Sequence, residues 1–256
     1  MTSRCFRPTK TRSRSIPASA RWAVAVGLVA LFGAVGLWFH PSSPVALVWG
    51  DLAVGRGRPQ SAVRAYDSVG HRHPDPVVRG QAFLRSARVW AVELGDPEQA
   101  RLRYEWALPL PMSDVERADM LEHLGFLLDD VGRHRDAAQR LREASDLDPD
   151  GSRAAARLIW AARAAARGGD RATADRTWRR LAEAHPVDAG RGYLGRANLE
   201  LSEGKTVSAL RLYERAVDHS FDPSVTAAAK FGIATCLKRL GDLDRAISSL
   251  GEAELP

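Results

Sequence analysis

The chain has 256 residues, enough for one or two domains with a sizeable core. Its 45% hydrophobic and 27% charged residues exclude a disordered chain. The net charge of +6 is no nucleic-acid signature, because Arg4, Arg7, Lys10, Arg12, Arg14 and Arg21 stand before the first acidic residue, Asp51, and removing those six leaves a neutral body. Two cysteines, Cys5 and Cys236, make neither a disulfide framework nor a CxxC pair.

The first predicted element is WAVAVGLVALFGAVGLWF, Trp22–Phe39, a run without a single charge. As a helix it spans about 27 Å at 1.5 Å per residue, close to the roughly 30 Å hydrocarbon core of a bilayer. Trp22 and Trp38 sit near its ends, where amphipathic rings favour the interface. Pro41 and Pro44 stop it. The expectation is a transmembrane signal-anchor at 22–39. The basic tail at 1–21 then stays cytoplasmic under the positive-inside rule, and residues 43–256 lie on the far side, the periplasm in a bacterial cell. The alternative is a cleaved signal peptide and a released body. The run is longer than the usual apolar region of about 7–15 residues, and Pro44-Val45-Ala46 is a poor cleavage site.

After the anchor a skeleton recurs in register. Gly stands at 57, 95, 132, 169, 204 and 241, and five residues later comes Ala62, Ala100, Ala137, Ala174, Ala209 or Ala246. Four further on is a large residue: Tyr66, Tyr104, Leu141, Trp178, Tyr213 or Leu250. Three further is Val69, Ala107, Ala144, Leu181, Ala216 or Ala253. Spacings of four and three place these on one helix face. The glycine before them is the left-handed residue that closes a preceding helix. Asp96, Asp170 and Asp242, each just after its glycine, are placed to cap the second helix. Upstream of each glycine lies another apolar-periodic segment, such as MLEHLGFLLDDV. Each unit is therefore helix, tight turn, helix. It cannot bury its own face, so units must stack into a solenoid.

Other patterns dissolve on inspection. DLDPDG, Asp146 to Gly151, opens like a calcium loop, but its twelfth position is Arg157 where the ion needs a bidentate Glu, and it reads as an inter-repeat linker. His71 and His73 in HRHP have no third ligand placed nearby. There is no GxSxG, Walker loop or HExxH, so neither catalysis, a cofactor nor a metal is expected.

The units resemble tetratricopeptide repeats, whose pattern is W-x2-L-G-x2-Y, then A-x3-F, then A and P. The third unit matches best, with Leu121, Leu124-Gly125, Leu128, Ala137, Leu141, Ala144 and Pro149; the first offers Trp49-Gly50, Ala62, Tyr66, Val69 and Pro74. Arg88 stands where the pattern wants Gly or Ala, and the fifth unit has a ragged first helix with Glu200 at an apolar position. The resemblance implies an all-α, right-handed helix-turn-helix solenoid of about six such units over 43–256. It also implies a non-enzymatic scaffold that binds a protein partner or extended peptide in a concave groove, in the assembly or organisation of a cell-envelope complex. A released, chaperone-like assembly factor is the alternative. The family's first helices line that groove, which maps onto Arg85, Val89, Glu122, Phe126, Asp129, Ile159, Arg163, Leu194, Asn198, Phe231 and Lys238. The basic carboxylate clamp of the heat-shock co-chaperones is not repeated at Glu122, Phe126, Ile159 and Arg163. The last unit has no polar cap over Phe231, Ile233, Leu237, Ile247 and Leu250, so a homo-oligomer or a docked partner is expected there.

Overall fold

The computed structural model describes residues 45–251. The span expected at 22–39 and the basic tail before it lie outside the described residues, as does Ala253. No helix among the described residues is long and apolar enough to cross a membrane.

Twelve α-helices and no strand make up the described chain. They are α1 (Val45–Gly55), α2 (Pro59–Arg72), α3 (Pro76–Val92), α4 (Pro97–Ala107), α5 (Asp114–Asp130), α6 (His134–Leu147), α7 (Ala154–Arg167), α8 (Arg171–Ala184), α9 (Ala189–Ser202), α10 (Thr206–Asp218), α11 (Pro223–Leu240) and α12 (Leu243–Gly251), with one 3-10 turn at Pro186–Asp188. Consecutive pairs form six hairpins. Each bends at one of the six recurring glycines, and these six are the positive-φ residues of the described chain, at φ between 65° and 87°. L side chains rarely adopt that backbone, which explains the glycine column.

The aspartates cap as their positions predict. Asp96 accepts from the Gln99 amide at 3.0 Å, Asp170 from Thr173 at 3.0 Å and Asp242 from Arg245 at 3.2 Å. Ser113 and Glu116 add a reciprocal capping box at the start of α5. The alanine column is buried in all six hairpins. It lets helices meet closely: a Cβ on Gly125 of α5 would sit 2.7 Å from Leu141 Cγ of α6. The large column is buried in five hairpins, but Leu250 of the sixth is 40% exposed. The core is a strip of buried clusters along the solenoid, the largest running from Phe83 on α3 to Ala174 on α8.

The two departures from the repeat pattern are accommodated by polar contacts. Arg88 is exposed, and its guanidinium lies near the Tyr104 hydroxyl and acts on it electrostatically. The first helix of the fifth hairpin is a full fourteen-residue helix, and Glu200 occupies its apolar slot paired to Arg171 of α8 at 2.6 Å.

The third and fourth hairpins are also joined by buried charge. Arg157 of α7 and Glu122 of α5 are each 1% exposed and 2.8 Å apart. The remaining guanidinium nitrogens of Arg157 reach Asp119 at 2.7 Å and Asp148 at 3.1 Å, and Arg153 closes on the other Glu122 oxygen. A buried arginine needs such complete pairing.

Candidate protein-binding groove

The first helices of the last three hairpins, α7, α9 and α11, line a groove of about 720 Å³. Ile159, Trp160, Leu194, Leu199 and Val225 supply apolar lining, and Trp178 reaches in from α8. Trp178 lies there because Gly195 has no side chain; a Cβ at that position would collide with the indole. Arg163, Arg167 and Arg191 also line the groove, with no carboxylate among its lining residues.

The three arginines differ electrically. Arg191 pairs with Asp188 at 3.1 Å and Asp222 at 2.5 Å, and Arg167 is held by Asp129, which also meets His134 at 2.7 Å. Ser224 hydrogen bonds, with Arg191 behind them, lower the Asp222 carboxyl to about 2, so this pair stays ionised at neutral pH. Arg163 is exposed and has no ion pair among the described residues. It is the uncompensated charge of the groove. On the rim, the Tyr213 hydroxyl donates to Asn198 Oδ1 at 2.6 Å. Burial raises that phenol to about 12, so it remains a donor, and it orients the Asn198 NH2 as a free donor. The surface thus offers an apolar trough, one free guanidinium and one fixed amide: features that suit an extended segment with an apolar side chain and a carboxylate.

Of the eleven groove residues expected from sequence, Ile159, Arg163, Leu194 and Asn198 come together here. Phe126 and Asp129 sit one layer away. Phe126 stacks edge-on against Trp160 with centroids 4.7 Å apart. Arg85 pairs across to Asp51 at 3.5 Å. Phe231, 65% exposed, and Lys238 lie on α11 outside the groove lining. Three expectations of exposure are corrected. Val89 is buried in the core of the first two hairpins, Glu122 is consumed by Arg157 and Arg153, and Ile159 is buried against neighbouring helices so that little more than its edge meets the groove. Sequence reasoning missed Trp160, Arg167, Trp178 and Arg191. Arg167 was reachable as the residue one turn beyond Arg163; Trp178 was not, since its register assigns it to the core.

The discarded patterns have structural roles. Asp146, in the last turn of α6, pairs with Arg180, and Asp148, in the linker, pairs with Arg157. His71 stacks edge-on with Phe83 and Trp106 at 5.1 and 5.0 Å, and His73 Nδ1 accepts from the Asp75 amide at 3.0 Å. Among the described residues no cluster of His, Cys, Asp or Glu is arranged to hold a metal ion.

Residues 161–223 and 194–256 match the family model of the tetratricopeptide repeat. No curated protein matches the chain in sequence. Among solved structures, the C-terminal part of a TPR repeat-containing protein from Cytophaga hutchinsonii is similar with a TM-score of 0.61 at 15% identity, covering 92% of this chain and 92% of that one. BtubC (BKLC) from P. vanneervenii is similar with a TM-score of 0.54 at 16% identity, covering 81% of this chain and 88% of that one. At such identities the likeness concerns the fold. The sequence match supports tetratricopeptide repeats over residues 161–256, and the solved structure extends the likeness, as a fold, over most of the chain.

Proposed function

We propose that the protein is a membrane-anchored scaffold that holds a protein partner in the groove of α7, α9 and α11, in the assembly or organisation of a cell-envelope complex. Tetratricopeptide folds are generally non-catalytic interaction scaffolds. The observation that carries the reading is the groove itself: apolar lining, no acidic lining residue and an unpaired Arg163. Its ligand is an extended segment bearing an apolar side chain next to a carboxylate. The anchor is Trp22–Phe39, with residues 1–21 cytoplasmic and the solenoid across the membrane; the uncharged run and the one-sided arginine bias support it.

The test is affinity recovery on the detergent-solubilised full chain, comparing wild type with Arg163→Glu. One stoichiometric partner lost in a folded Arg163→Glu variant is the expected result. A partner retained by that variant removes the groove from the mechanism. Many unfolded clients in place of one partner turn the reading to a chaperone-like assembly factor.

A further inference from the structure

Helix α1 carries a surface that the other hairpins do not. Val48 is 55% and Leu52 45% exposed, one turn apart on the same face, with the exposed Trp49 beside them. At the equivalent places in later hairpins the residues are buried or half-buried: Ser86 and Trp90 in the second, Gly232 and Cys236 in the sixth. There the preceding hairpin covers them. No hairpin precedes α1 among the described residues.

We infer that this face of α1 rests in the headgroup layer of the bilayer, so that the solenoid is seated on the membrane by its first hairpin. The inference rests on the reading of Trp22–Phe39 as a span. Six residue steps separate Phe39 from Val45, which at full extension keep the start of α1 within about 20 Å of the end of that span. A helix so tethered, with aliphatic side chains outward and arginines at its end, has the composition of an interfacial element. Its charges agree. Arg56 and Arg58 at its C-terminal end are exposed and form no ion pair among the described residues, whereas Asp51, the acid of α1, is engaged by the Tyr66 hydroxyl at 2.6 Å and by Arg85. Anionic headgroups suit the two free guanidinium groups. A second copy fits less well, because three side chains fall far short of the roughly 800 Å² per partner that a stable interface buries.

The experiment places photoreactive p-benzoylphenylalanine at Val48, at Leu52, at Leu31 within the span and at Val207, an exposed apolar position on α10. Each full-length protein is reconstituted into vesicles of phosphatidylethanolamine and phosphatidylglycerol, irradiated and read by mass. Lipid adducts from 31, 48 and 52 and none from 207 are expected. Adducts from 31 alone, with 48 and 52 joined to protein or unreacted, overturn the inference and leave the anchor standing. No adduct from 31 overturns the anchor and the inference with it. Circular dichroism of each variant confirms the fold, and the two α1 positions give independent readings.

Discussion

Arg157 and Glu122 are the costliest residues to disturb. Both are buried, and each is the other's partner at 2.8 Å. Removing one leaves the other buried charge with only its more exposed partners, Arg153 for Glu122 or Asp119 and Asp148 for Arg157, at a cost of up to about 3–5 kcal/mol. Glu122→Ala and Arg157→Ala should each lower the unfolding free energy read from urea denaturation by an amount approaching that, while Asp119→Ala, whose side chain is half-exposed, should cost far less. Equal, small losses in all three would show that the network carries little stability. His123 gives the pH dependence. It lies stacked on Tyr104 at 6.3 Å, and burial, reinforced by Arg88, lowers its pKa below the ordinary imidazole value. A histidine kept neutral in the fold binds fewer protons than it does unfolded. Its contribution is therefore complete above the unfolded pKa of about 6.5 and is lost as pH falls through the depressed folded value. Unfolding midpoints measured from about pH 7.5 to about pH 5.5 should fall, and His123→Gln should flatten that slope. The same scale selects the variants for binding studies. Ile159→Ala empties a buried site at a cost of about 2–5 kcal/mol, so a loss of partner there reports unfolding, whereas Arg163 is exposed and reports the groove.

At the scale of the element, the hairpin is held by an alanine contact, a left-handed glycine and, in half the cases, a capping aspartate. Ala137 is fully buried where α6 meets α5, so Ala137→Arg forces a charged chain into that contact and should abolish the cooperative melt or lower its midpoint severely. Gly132 has φ 80°, and Gly132→Ala should cost about 1–2 kcal/mol although a Cβ there meets open space. Asp170→Ala should cost about 1 kcal/mol, the usual worth of an N-cap. Chemical denaturation of the three variants orders them, and an Ala137→Arg protein as stable as wild type would displace the repeat register.

In the whole molecule, stability is a sum of hairpins and the contacts between neighbours. The largest buried cluster and the Arg157–Glu122 network both lie between α3 and α8. The last hairpin is poorer, with Leu243, Ile247 and Leu250 all exposed on α12. Hydrogen exchange read by mass should therefore be slowest in α5–α7 and fastest in α12, because opening costs least where few apolar contacts are lost. A uniform protection pattern would mean that the solenoid opens only as a whole. Binding at α12, whether of a second copy or of another protein, should slow exchange there selectively; sedimentation at rising concentration distinguishes the two.

The sequence by itself determined the units. Helix faces follow from spacings of three and four, the turns from glycines that alone tolerate φ near +70°, and the caps from aspartates one residue later. These are local properties, fixed within one hairpin, and the six alanines, six glycines and three aspartates do what their positions imply. Tertiary structure decided which parts of the first helices face the groove. Glu122 looked like a groove residue because its register position is one, yet Arg157, 35 residues later, draws it inside. Trp178 is core, as its register implies, yet its ring packs on the bare backbone of Gly195 in the next hairpin, which brings its edge to the groove wall. In both cases the deciding contact crosses between hairpins, and its geometry is set by how each unit stacks and rotates on the next, which no spacing within a unit encodes.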